Sequence, residues 1–221
     1  MVTGTDTGVG KTVVSAAIAA SQLSRGRTVA VVKPAQTGVG PEEDGDLAEV
    51  RRLAGEVSLL EGARLPDPLA PDTAARLAGQ RLPSLADQRA LVETAAHRHD
   101  VTIVEGSGGL LVRLGDDFTL ADVVAPYDAE WVVVARAGLG TLNHSELTVR
   151  ALRDLGANVL GIVVGSWPER PGQAEDQNLR DLPRVTGVPL LGCLPAGAAQ
   201  LPVERFRSEA VEWLGPGGPG S

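Results

Sequence analysis

The sequence predicts an α/β fold: a single domain built on a mostly parallel sheet with helices on both faces. Three observations carry this expectation. Short runs that are apolar at nearly every position recur along the 221 residues, stretches of helical periodicity separate them, and distinctive polar residues stand directly after them. Strands apolar on both sides of the pleat are covered on both faces, and their alternation with helices is a βαβ pattern. In open parallel sheets ligands bind beyond the carboxyl ends of the strands, so the residues after each run are where chemistry is expected.

In chain order, only Met1 and Val2 precede the first turn motif, so strand one is nearly absent as written and is expected to begin upstream. Runs at Val29–Val32, Val101–Val104, Trp131–Ala135, Val159–Val164 and Pro189–Leu194 read as strands. Helical periodicity covers 12–25, 46–54, 84–98, 143–155 and 174–185, while the Pro/Gly-rich segments 62–71 and 166–172 read as surface loops. Residues 1–213 are expected to form the domain and 214–221, ending in GPGGPGS, a disordered tail.

Composition narrows the function. A net charge of −8 without a Lys/Arg block argues against a non-specific nucleic-acid binder or a membrane-surface protein. A single cysteine, Cys193, excludes an internal disulfide framework and a cysteine-based zinc site, and its apolar strand marks it as core. No apolar run reaches membrane-spanning length, and a cytoplasmic protein with a small soluble ligand is expected. Of 20 Lys plus Arg, only Lys11 and Lys33 are lysines. That bias has a plain source in genome base composition, yet it spared two positions.

Gly4 to Thr12 reads GTDTGVGKT and runs into a helical segment. A glycine-rich loop entering a helix N-terminus aims several backbone N–H groups and the positive helix end at one point, which suits a phosphate. Lys11 then supplies a cation for the β/γ-phosphates and Thr12 a hydroxyl for Mg²⁺. The loop is a variant of the common pattern: the expected first glycine is Thr5, and Gly4 is one residue early, while Gly8, Gly10, Lys11 and Thr12 keep the working end. After the second strand, Lys33 is followed by Pro34, read as ending the strand. Lys33 either holds a second anion opposite the loop or reaches into solvent. Asp46 is either a helix N-cap, with Glu49 completing a capping box, or a Mg²⁺ ligand.

Glu105 directly follows the strand run Val101–Val104 at the sheet's ligand edge, where a carboxylate that holds a metal is expected, and Gly106, Gly108 and Gly109 let backbone pass close to a ligand. The turn Gly138 to Asn143 opens another helix, capped by Thr141 or Asn143. It reads either as an ordinary helix start or as a second anion site suited to a carboxylate. His97 and His99 are expected to favour the negative end of the preceding helix, and His144 has no partner spaced for a triad or metal site.

Taken together, VTGTDTGVGKT, KPAQTG, the Asp46 segment, VEGSGGLLV and GLGTLNHSELT, in this order and spacing, resemble the dethiobiotin synthetases over residues 1 to about 195. The resemblance implies a homodimer of P-loop NTPase-like fold. It also implies a ligase that converts 7,8-diaminopelargonic acid, CO₂ and a nucleoside triphosphate, with Mg²⁺, to dethiobiotin through a carbamate and a carbamic-phosphoric anhydride. By matching positions it implies that Thr7, Gly8, Val9, Gly10, Lys11 and Thr12 hold the nucleotide phosphates, and that Thr12, Asp46 and Glu105 hold Mg²⁺. Lys33, with Lys11, is implied to be catalytic. Lys33 and Thr37 would face the amines and carbamate, and Gly140, Thr141, Leu142 and Asn143 the substrate carboxylate. In the family an asparagine after the penultimate strand reads the adenine edge; here Gly165 stands there, which removes a paired amide contact. Weak selection among ATP, CTP and other triphosphates is therefore expected, with Gly165 and the loop from Pro195, Ala196 and Gly197 to Ala199 meeting the base.

Three other readings fit the sequence less well. A partition- or septum-placement-type ATPase resembles KGGxGKT, but Asp6 stands at the place of its extra lysine. An amidating relative of cobyrinic acid synthesis needs a glutaminase domain with a nucleophilic cysteine, for which the chain has no room. A non-catalytic nucleotide-binding module is disfavoured by the two candidate metal carboxylates.

Overall fold

The computed structural model describes residues 1–215. Among them seven parallel strands form one sheet: β1 (Val2–Gly4), β2 (Val29–Thr37), β3 (Ser58–Leu65), β4 (Val101–Gly109), β5 (Glu130–Ala135), β6 (Asn158–Trp167) and β7 (Leu190–Pro195), ordered β3-β2-β4-β1-β5-β6-β7. Alternate residues of the apolar runs enter opposite cores, as both-face burial requires. Val29, Val31, Ile103, Val132, Val134 and Val163 pack under α1 (Lys11–Ser24), α2 (Asp46–Ala54) and α8 (Val203–Trp213). Ala30, Val32, Val104, Val133, Ile162 and Val164 pack under α4 (Leu85–Ala96), α5 (Leu120–Val124), α6 (Thr141–Asp154) and α7 (Gln173–Thr186). The remaining helix, α3 (Pro71–Ala78), closes a small third cluster of Leu65, Ala74 and Ala75 beside β3.

Several sequence expectations change. Residues 62–71 are not one surface loop: 62–65 complete β3 and Pro71 opens α3. The strand lacked a continuous apolar run because it is the sheet's edge, with β2 as its one neighbour, and it carries a Glu61–Arg64 ion pair. Ser166 and Trp167 likewise extend β6 into the expected loop 166–172. Pro34 does not end the second strand. The ladder to β3 continues as Ala35↔Ala63, Gln36↔Arg64 and Thr37↔Leu65, and the Pro34 carbonyl accepts Gln88 Nε2 at 3.0 Å. β1 is three residues long, as short as the sequence indicated.

Two caps also differ. Gly45, not Asp46, is the N-cap of α2, and Gly140, in the left-handed region at φ 87°, is the N-cap of α6 in place of Thr141 or Asn143. Asp46 and Thr141 are instead first helical residues. Leu214 is 2% exposed and belongs to the core under α8, so order extends past 213; the expected tail from 216 to 221 lies outside the described residues.

Candidate active site

The carboxyl ends of β1, β2, β4, β5, β6 and β7 bring the candidate residues to one edge of the sheet. After β1 the loop turns at Gly8 and Gly10, both with positive φ, and enters α1 at Lys11. Gly4 is required for close approach, because a Cβ there would lie 2.8 Å from the Asp6 carbonyl oxygen. Val9 is buried in the core and anchors the loop, while Thr7 and Gly8 are exposed. Lys11 is 8% exposed and its ammonium donates to the Asp6 carbonyl at 3.0 Å. Burial holds its pKa below the ordinary lysine value, and the Lys33 charge acts in the same direction against Glu105, Asp46 and Asp6.

Lys33 does not reach into solvent. It is 3% exposed, with its Nζ 2.6 Å from Asp46 Oδ2 and 2.8 Å from Glu105 Oε1, and it donates to the Gly106 carbonyl at 3.3 Å. Burial is the largest single influence on its pKa and lowers it. The charges and hydrogen bonds of Glu105 and Asp46 together outweigh burial, so the net shift is upward and the ammonium stays charged. Glu105, 1% exposed, also accepts the Thr12 hydroxyl at 2.9 Å on the same oxygen. Thr12 from α1, Lys33 from β2, Asp46 from α2 and Glu105 from β4 therefore surround one point at the mouth of the phosphate loop.

That donor set fits a hard divalent cation. The Asp46 and Glu105 carboxylates meet at the Lys33 ammonium, the Thr12 hydroxyl bonds to Glu105 beside it, and Mg²⁺ takes one or two carboxylates with phosphate oxygens and water completing its shell. No cluster of three or more His, Cys, Asp or Glu occurs among the described residues.

The other candidates flank this point. Thr37 closes β2, and the Gly140–Asn143 turn opens α6 beyond β5, three strand spacings across the sheet, or roughly 14 Å. The Thr141 hydroxyl is buried without a hydrogen-bond partner at that helix start. On the far side, Gly165 lies against the loop: a Cβ on it would stand 2.1 Å from the Val9 carbonyl oxygen, and one on Gly10 would stand 2.7 Å from the Gly165 carbonyl oxygen. Ala196 N–H donates to the Trp167 carbonyl at 2.6 Å, which ties the Pro195–Gly197 segment to the end of β6 beside Gly165.

A family described as an AAA domain matches residues 1–200. ATP-dependent dethiobiotin synthetase BioD of Rhodococcus jostii (strain RHA1) is 55% identical over 215 residues, 97% of this chain and 93% of that protein. The chain belongs to the dethiobiotin synthetase family. A second dethiobiotin synthetase, from Streptomyces coelicolor, is 56% identical over 98% of this chain and 91% of its own length. Solved structures share the P-loop NTPase fold at low identity. The septum site-determining protein MinD from Pyrococcus horikoshii, complexed with Mg-ADP, has a TM-score of 0.60 at 14% identity, covering 96% of this chain and 91% of that one. A ParA family ATPase from Chlorobium tepidum has a TM-score of 0.61, also at 14%, covering 96% and 93%. At that identity the likeness shows the fold alone.

Beside the family's motif residues, the structure adds two that the sequence reading passed over. Arg136, directly after β5, forms an ion pair with Asp6 of the loop, and its place after an apolar run is the signal that could have found it. The Asp6 carboxyl is held below its ordinary pKa first by the Thr7 backbone N–H and, against desolvation, by the Arg136 charge and hydrogen bond. Gln36, inside KPAQTG, bonds to the start of α2.

Proposed function

We propose that this chain is an ATP-dependent dethiobiotin synthetase, a ligase that forms the two C–N bonds of a cyclic urea. The observation that carries the reading is the meeting of Thr12, Lys33, Asp46 and Glu105 at the phosphate loop of a chain 55% identical to a dethiobiotin synthetase over nearly its whole length.

One amine of 7,8-diaminopelargonic acid adds to CO₂, losing a proton, to give a carbamate. A carbamate oxygen attacks the γ-phosphorus of the triphosphate, the diphosphate nucleotide leaves, and a carbamic-phosphoric anhydride forms. The second amine attacks its carbonyl carbon, phosphate departs, and the ring closes with loss of a proton. Phosphoryl transfer of this kind asks for positioning and charge stabilisation. Lys11 and the loop N–H groups of 7–12 hold the phosphates. Lys33, buried and charged, faces the carbamate and the transferring group, where a compact ammonium offsets developing negative charge. Thr12, Asp46 and Glu105 hold Mg²⁺, which when bound neutralises phosphate charge. Thr37 orients the amines and the Gly140–Asn143 turn receives the carboxylate, so an elongated substrate spans the strand ends between β2 and β5.

Gly165 and the Pro195–Gly197 segment meet the base through backbone groups, and the missing amide contact erases roughly 1–3 kcal/mol of adenine preference, by analogy with base reading elsewhere. A cytoplasmic homodimer that binds no nucleic acid completes the reading; no described helix is long and apolar enough to cross a membrane. The decisive experiment supplies labelled bicarbonate, diaminopelargonic acid and each triphosphate in turn. Acid-stable label in a ureido product is expected, and its absence with every triphosphate refutes the assignment.

A further inference from the structure

Gln36 stands on β2 between Lys33 and Thr37 and is 3% exposed. Its side-chain oxygen accepts the backbone N–H of Asp46 at 2.9 Å, and its amide nitrogen donates to the Thr37 carbonyl at 3.1 Å. The first N–H groups of any helix lack intrahelical partners, and the N-cap of α2 is a glycine with no side chain to supply one. A residue from another element therefore does so. Gly45 makes room for it: a Cβ there would lie 2.8 Å from the Gln36 side-chain oxygen.

The loop between the two is pinned as well. Arg64 donates to the carbonyls of Gly40 at 3.1 Å and Glu43 at 2.7 Å, and the Glu43 carboxylate accepts Gly40 N–H at 2.8 Å. Asp46 is not held by burial, since its side chain is 36% exposed, yet its carboxylate stands 2.6 Å from the buried Lys33 ammonium. Its root is set by Gln36 and its tip by Lys33.

We propose that Gln36 is a positioning residue for the metal site. It fixes the first turn of α2 so that the Asp46 carboxylate faces the phosphate-loop mouth, and its amide links the Asp46 backbone N–H to the Thr37 carbonyl. This rests on the reading of Asp46 as a Mg²⁺ ligand given above.

The test measures Mn²⁺ binding to the full chain, with a non-hydrolysable ATP analogue, by loss of the free-ion paramagnetic resonance signal. Gln36→Met raises the Mn²⁺ dissociation constant on the order of tenfold, the usual consequence of losing an outer-shell partner. Its metal-free melting temperature falls by about 4–8 °C, the loss of two hydrogen bonds at this chain length. Gln36→Glu keeps an acceptor for the Asp46 N–H and recovers most of the affinity. Wild-type Mn²⁺ affinity in Gln36→Met, or equal weakening by Met and Glu, overturns the proposal. Should Gln36→Met not fold, Gly45→Ala displaces the amide without removing it; weakened Mn²⁺ binding supports the role, and unaltered binding in the folded variant overturns it. A wild-type chain that makes no dethiobiotin while these Mn²⁺ results hold overturns the assigned reaction and leaves the role of Gln36 supported.

Discussion

Replacing Lys33 by methionine keeps much of the side-chain volume but leaves the Glu105 carboxylate, 1% exposed, without its cation. Removing one partner of a buried ion pair costs about 3–5 kcal/mol, because the remaining charge stays desolvated. Two features place this site at the lower end. The Thr12 hydroxyl still donates to Glu105 at 2.9 Å, and the Asp46 side chain, 36% exposed, regains water. A loss of about 3 kcal/mol at this chain length corresponds to a fall of about 6–12 °C in melting temperature. Because the folded Lys33 pKa is raised, its stabilisation is fully present below the ordinary lysine value and disappears only as pH rises through the folded value, so neutral buffer shows the whole effect. Calorimetry in metal-free buffer, then with excess Mg²⁺, separates the contributions. Mg²⁺ returns a cation to the two carboxylates and raises the melting temperature of Lys33→Met more than that of the wild type, whose ammonium already pairs with both. A metal-free loss under about 2 °C, or equal Mg²⁺ increments in the two proteins, refutes the electrostatic account.

Lys33→Arg should fold and keep its charge but lose most of its turnover, since a planar guanidinium cannot replace a compact ammonium at a crowded phosphoryl site; retained turnover in the labelled-bicarbonate assay removes Lys33 from the chemistry. Gly165→Asn should not restore adenine preference. Its Cβ would meet the Val9 carbonyl, so the phosphate loop must shift, and KM for every triphosphate should rise on the order of tenfold; ATP/CTP competition showing gained ATP selection at unchanged KM contradicts this. Burial pushes the Cys193 thiol up to about 11, so thiolate is scarce at neutral pH and a disulfide reagent should react far more slowly with native than with unfolded protein; equal rates would show the thiol to be open.

Much of the site was legible because a single topological rule places it. Apolar runs marked the strands, and Lys33 and Glu105 each follow one, so their common edge could be read before any coordinates. Edge strand β3 escaped because half-covered strands do not need a continuous apolar run, and its Glu61 and Arg64 pair with each other instead. Gln36 escaped because a side chain capping a helix ten residues away leaves no local pattern.

By itself the sequence determined the glycine-rich loop and the two-faced sheet, which depend on local spacing along single segments, and pointed to the family through the resemblance of five segments taken together. Only the tertiary structure decided where the Lys33 ammonium sits. Its ammonium meets Asp46 from one helix and Glu105 from a strand 72 residues away, and Glu105 in turn meets Thr12 across 93. It also decided why position 165 is glycine, which is the contact of β6 with the Val9 carbonyl. Both outcomes depend on close approach between segments distant in sequence, where desolvation and contact at the scale of an ångström set the energies and no one-dimensional pattern records them.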